Sequence, residues 1–135
     1  MIAPQGSGVK PGNFLELGAV RVHVVESYNR PELYANNPPH PKGLGVGYVL
    51  EYPTGLVVYF TGDTNFIDEM LELERRVTLF IPAISGGCVM TPEEAVEAVK
   101  SLKPPLTIPV HYENLHLYYR FRDMAQPYTQ VVRLS

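Results

Sequence analysis

The sequence has a single cysteine, Cys88, and so no means of closing an internal disulfide. That fits a reducing compartment, and the cytoplasm is the expected location. No apolar run approaches the ~18–20 residues a membrane span needs, and no membrane partner is expected. The opening residues, Met1 to Lys10, lack the apolar segment of a secretory leader. Lysine and arginine are few and scattered, 11 against 14 aspartates and glutamates, for a net charge of −3. With no basic patch there is no general attraction to nucleic acid or anionic lipid. Gly86-Gly87 has neither the spacing nor the Lys-Ser/Thr of a phosphate-binding loop.

What is present is enough for one compact domain. The chain has 135 residues, of which 45% are hydrophobic, and this length can bury a core without covalent staples. Thirteen prolines and eleven glycines point to many short, rigid connections. Residues 1–13, rich in Gly, Pro, Ser and Gln, read as a weakly packed arm. Alternating Leu15, Leu17, Val20, Val22 and Val24 predict two strands around a turn at Gly18-Ala19.

Residues 26–46 form the longest irregular stretch, with Pro31, Pro38, Pro39 and Pro41 opposing any regular element. Strands are predicted over 46–51 and 56–60, joined by the turn Tyr52-Pro53-Thr54-Gly55. The second is apolar on both faces, which predicts a central strand covered on both sides. A short helix over 66–74 and a buried strand over 77–81 follow. Thr91-Pro92-Glu93-Glu94 is a helix start: Thr91 caps, Pro92 suits the first turn, and Glu94 closes a capping box. That helix should run to about Leu102. A last inner strand over 106–110 ends at His111, and the tail reads as a helix over 115–124 and a strand over 129–134. Strands and helices alternate, so the expected class is α/β, a mixed sheet covered by helices.

Asp63 and His111 each follow a buried strand directly, and ligands in such sheets gather where strands stop. A carboxylate and an imidazole are ordinary donors to zinc, iron or manganese, although two donors alone do not make a stable site. Taken singly, Gly62-Asp63-Thr64 reads more often as a turn, and His111 more often as a hydrogen-bonded structural residue. His40 lies in the long loop, either as a pocket residue or as an exposed histidine among prolines. His116 on the tail helix reads as a surface residue. Tyr112, Tyr118, Tyr119 and Phe121 read as packing or interface aromatics, and Cys88 as a loop residue.

The ordered series Tyr59-Phe60-Thr61-Gly62-Asp63-Thr64, Glu69-Met70, Ile81-Pro82, Gly86-Gly87, Met90-Thr91-Pro92-Glu93-Glu94-Ala95 and Ile108-Pro109-Val110-His111-Tyr112 resembles the ascorbate-6-phosphate-lactonase-like branch of the metallo-β-lactamase superfamily. Ser27-Tyr28-Asn29 and His40-Pro41-Lys42 extend the likeness, which runs from about residue 14 to the end. It implies the C-terminal half of an αββα sandwich and a metal-dependent hydrolase that attacks an ester, lactone or phosphoester with activated water. Asp63 would be the carboxylate bridging two metals and His111 the late histidine ligand, the two residues that carry the catalysis. His40 and Asn29 would touch substrate or support the ligands. Asn29 stands where the superfamily's third histidine falls, as is usual in this branch. The metal would be zinc first, with manganese or iron as alternatives, and the isolated chain need not hold one.

One departure is large: the superfamily's His-x-His-x-Asp-His motif occurs nowhere in this sequence. His23 stands alone in its strand. The missing half would come from a separate polypeptide, from a longer chain of which this is a fragment, or from upstream of a misplaced start. The other reading is a non-catalytic half fold that acts as an oligomeric binding or assembly module. Half of the sandwich leaves an apolar sheet face without its cover, so a homodimer or higher homo-oligomer is expected under either reading. The small-molecule substrate is not specified by the residues.

Overall fold

The computed structural model describes residues 9–134. Seven strands form one mixed sheet in sequence order: β1 Phe14–Leu17, β2 Val20–Ser27, β3 Gly45–Glu51, β4 Val57–Phe60, β5 Leu79–Ile81, β6 Leu106–Thr107 and β7 Gln130–Val131. The first three pairings are antiparallel and the last three parallel. Antiparallel neighbours need only tight turns, whereas each parallel step needs a crossover. The crossovers carry a 3-10 helix over Asp68–Leu73, helix α1 over Pro92–Leu102 and helix α2 over Leu115–Ala125.

Register divides the sheet into two unlike faces. Val25, Val49, Tyr59, Phe80 and Thr107 fall on one face, against Met70, Ala95, Val99, Leu102, Phe121 and Ala125 from the helical elements. This is the main core, and each large side chain removed from water there contributes about 1.5–3 kcal/mol. The opposite face is also apolar: Val22 and Val24, Val46, Tyr48 and Leu50, Val58 and Phe60, Leu79 and Ile81, Leu106. Among the described residues no helix covers it. Val9 and Leu15 pack against its Val22–Val24–Tyr48 cluster.

β4 is therefore central but covered on one side only. Tyr59 is 1% exposed toward the helices, while Phe60 is 43% exposed on the other face. The expectation of cover on both faces is corrected: β4 has its helical layer and, among the described residues, no second one.

Other boundaries differ for local reasons. The helix expected over 66–74 is the shorter 3-10 turn, because Ile67 is extended and offers no side-chain cap. The irregular stretch 26–46 contains one 3-10 turn, Pro31–Tyr34, with Pro31 at its start. The expected strand 106–110 pairs regularly only over Leu106–Thr107. Pro109 has no N–H to give, although Ile108 N–H still reaches Phe80 and Val110 N–H reaches Pro82. The tail strand is Gln130–Val131 rather than 129–134. Of the arm expected over 1–13, residues 1–8 lie outside the described residues. Gly12 N–H donates to Val24 O, and Val24 N–H donates to Asn13 O, which ties 12–13 to β2.

Candidate metal centre

β4, β5 and β6 run parallel, so their C-terminal tips share one edge of the sheet. The tips are laced together. Thr61 N–H donates to Ile81 O, Ala83 N–H donates to Thr61 Oγ1, and Val110 and Ala83 form a further parallel bridge. Asp63 follows β4 and His111 follows the β6 segment, with β5 between them, so two strand spacings, roughly 10 Å, separate their backbones.

Backbone geometry aims both residues. Gly62 has φ +68°, and a Cβ there would lie 2.6 Å from Val46 O, so only glycine fits this turn. The Asp63 side chain leaves it half exposed. His111 has φ +53°, the left-handed region that non-glycine residues seldom adopt. This takes its ring out of the strand pleat, and Nδ1 lies 2.9 Å from Ser85 Oγ in the loop after β5.

The loop between β2 and β3, residues 28–44, is pinned across this edge by buried amides and hydroxyls. Thr64 Oγ1 donates to Tyr28 O and accepts from Tyr28 N–H. Asn65 Oδ1 accepts from Arg30 N–H. Asn29 is fully buried and uses its backbone and side chain together. Its N–H donates to His40 O at 2.7 Å, its Oδ1 accepts from His40 N–H at 2.9 Å, and its Nδ2 donates to Cys88 O at 2.7 Å. Tyr34 hydroxyl also reaches Gly87 O. The clamp sets the His40 ring beside Asp63, Nε2 to Oδ2 3.7 Å. That is too long for a hydrogen bond but close enough for charge interaction. The His40 Nδ1 is buried with no partner among the described residues.

Further out, Glu69 ties the loop to the 3-10 helix. Tyr28 hydroxyl donates to Glu69 Oε1 at 2.7 Å, and Lys42 Nζ lies 3.1 Å from Oε2 and over the Tyr28 ring. Burial raises the Glu69 carboxyl, but the Tyr28 hydrogen bond, its own backbone N–H and the Lys42 ammonium outweigh that and hold it below its ordinary range. Burial, then the Glu69 hydrogen bond and charge, push the Tyr28 phenol upward.

Of the residues predicted from sequence, Asp63 and His40 lie together on this edge, and His111 meets Ser85, a residue not predicted. Asn29 is not a free donor, since both of its amide atoms are spent on the clamp. The sequence reading missed Ser85, although the rule that marked Asp63 and His111, a polar residue just beyond a buried strand, applies equally at the end of β5. Glu94 was read as closing its own capping box. Thr91 does cap, accepting from Glu94 N–H, but the Glu94 carboxylate accepts from Phe66 N–H at 2.5 Å instead and anchors the segment after Asp63. His23 lies away from the tips, paired with Glu51 at 2.7 Å. His116 is exposed on α2.

In kind, these donors fit a divalent cation: a carboxylate, and an imidazole whose Nδ1 is engaged and whose Nε2 has no partner among the described residues. In number they form part of a site. Among the described residues no three His, Cys, Asp or Glu side chains come together to hold a metal ion, and such sites take at least three protein ligands.

Residues 2–111 match the family described as Beta-lactamase superfamily domain. A UPF0173 metal-dependent hydrolase of Myxococcus xanthus is 34% identical over 113 residues, 80% of this chain and 40% of that protein. One from Thermoplasma volcanium is 31% identical over 127 residues, 87% of this chain and 52% of that protein. The chain thus spans about half or less of the curated relatives it matches. Among solved structures, a Parabacteroides distasonis protein proposed as a metal-dependent hydrolase superposes with TM-score 0.78 at 25% identity, covering 93% of this chain and 56% of that one. Igni18, a metallo hydrolase of Ignicoccus hospitalis, gives TM-score 0.74 at 20% identity over 95% of this chain and 57% of its own, a likeness of fold.

Proposed function

The chain belongs to the β-lactamase superfamily with the metallo-β-lactamase fold, and on that premise we propose that it is the C-terminal half of a metal-dependent hydrolase. A second β-layer, from another polypeptide or the rest of a longer chain, completes it with the remaining ligands. The observation that carries this reading is the pairing of two features of one sheet. Its parallel strand tips present Asp63 and His111 with donor atoms free, and its outer face is apolar and lacks a helical cover.

Asp63 and His111 are the proposed ligands, with zinc first and manganese or iron as alternatives. When bound, such a metal lowers the pKa of water so that hydroxide is available near neutral pH. This chain's own residues orient the reactants. The Asn29 clamp holds His40 against Asp63, where the His40 ring can take or give a proton at Nε2 or bind an oxygen of the substrate. The substrate class is an ester, lactone or phosphoester. The likeness of the Ser27-Tyr28-Asn29 and His40-Pro41-Lys42 segments to the ascorbate-6-phosphate-lactonase-like branch favours a sugar-like phosphorylated lactone. An exposed, unpaired Cys88 suits a cytoplasmic setting.

The open apolar face also supports a second reading, a non-catalytic module in which two or more copies cover each other. The two readings differ in what the second layer brings. A second copy covers Phe60 and its neighbours but adds only another Asp63 and His111. Metal analysis of the assembly purified from its natural source, with its mass in solution, separates them, since this chain alone brings only part of the ligand set. Stoichiometric zinc, manganese or iron that is lost in Asp63→Ala and in His111→Ala supports the hydrolase. A metal-free homo-oligomer of normal stability overturns it in favour of the module.

A further inference from the structure

We propose that Ser85 is a positioning residue that fixes His111 in the Nδ1–H tautomer, so that the lone pair of Nε2 faces outward from the sheet edge. The contact is Ser85 Oγ to His111 Nδ1 at 2.9 Å, between the loop after β5 and the residue after the β6 segment. A serine hydroxyl has one proton and two acceptor lone pairs. Its other neighbour is Gly86 O, 3.4 Å from Oγ, a long contact that only the hydroxyl proton can use. If the hydroxyl turns to Gly86 O, Oγ accepts from Nδ1–H and both contacts are made. If it turns to Nδ1, the contact to Gly86 O is lost and the ring proton sits on Nε2, where no described residue receives it. The first arrangement makes two interactions and the second makes one.

The backbone supports a fixed ring. His111 sits at φ +53°, a strained conformation for a side-chain-bearing residue that persists only where its surroundings hold it. Ile84 N–H donates to Val110 O beside it, tying the two loops together at the point where the side chains meet. A hydrogen bond on one ring nitrogen decides what the other can do: an Nε2 lone pair accepts a cation or a proton, and an Nε2–H does neither. The role toward a metal rests on His111 being the imidazole donor proposed above, but the tautomer itself needs no metal.

The test is nitrogen-15 spectroscopy of the His111 ring in the metal-free chain, at about pH 8 where an ordinary imidazole is neutral. Free histidine in water prefers the Nε2–H form, so the proposed tautomer stands out. The wild-type chain should show a protonated Nδ1 and an unprotonated Nε2. Ser85→Ala should return the ring to the solvent-like mixture, and Ser85→Thr, which keeps the hydroxyl, should restore the wild-type pattern. Amide spectra of α1 serve as the check that each variant is folded. A wild-type ring protonated on Nε2 overturns the proposal, as does a Ser85→Ala ring identical to wild type. Failure of the hydrolase reading appears elsewhere, in metal content, so the two are read on separate signals.

Discussion

Replacing Asn29 by alanine removes the buried side chain that joins the His40 loop to the Cys88 loop. Two hydrogen bonds go with it, from His40 N–H and to Cys88 O. The amide is fully buried, so water does not reach the space it vacates without rearrangement. A buried polar group left without a partner costs about 1–3 kcal/mol. Cys88 is exposed and its carbonyl recovers some hydration, which puts Asn29→Ala near 2–3 kcal/mol in total by the same scale. That is a large part of the about 5–15 kcal/mol typical of a whole domain. Asn29→Asp is not a rescue. It keeps an acceptor for His40 N–H but turns an oxygen toward Cys88 O and buries a charge, so it should cost at least as much as alanine. Urea unfolding gives the stability change, and exchange of the His40 amide reports the clamp locally. A loss below about half a kcal/mol for alanine, within the range of an ordinary surface change, refutes the clamp. So does a His40 amide that exchanges no faster.

Gly62→Ala forces a Cβ to 2.6 Å from Val46 O at φ +68°. The expected loss is about 2–3 kcal/mol or more by thermal unfolding, with the Asp63 resonances displaced. An unchanged melting temperature contradicts the backbone argument. The tether through Glu69 is acid-sensitive in a defined direction. Its folded pKa lies below the ordinary value of 4.5, so its contribution is present above that value and is lost as pH falls through the lowered one. Carboxyl titration by NMR should place Glu69 below the ordinary glutamate value, and residues 28–42 should loosen on acidification below about pH 4, the ordinary carboxylate range. In Glu69→Gln this acid step should be absent.

Much of this architecture is written locally. Thr91 caps α1, accepting from Glu94 N–H, as a threonine ahead of a proline at the first helical position implies. Tyr52 to Gly55 turns where its proline and glycine require it, closed by Gly55 N–H to Tyr52 O. Asp63 and His111 stand out in the sequence because each follows an apolar strand-like run and because the segments around them resemble the superfamily's; taken singly, each reads more often as a turn or a structural residue. What escaped the sequence depends on partners distant in the chain. Ser85 matters through a residue 26 positions away. Glu94 looks like half of a capping box, yet its carboxylate is drawn to Phe66 N–H, 28 positions back. The strand 56–60 is apolar on both faces, and its residues cannot say that helices cover one of them while, among the described residues, no helix covers the other.

The central claim is that Asp63 and His111 grip one cation together with donors from a second β-layer. Anomalous diffraction from crystals of the zinc- or manganese-loaded assembly tests it directly. The account predicts a metal peak within about 2.0–2.2 Å of an Asp63 carboxylate oxygen and of His111 Nε2, with its remaining ligands outside this chain. A metal bound elsewhere, or a loaded assembly in which those two side chains point apart, contradicts it.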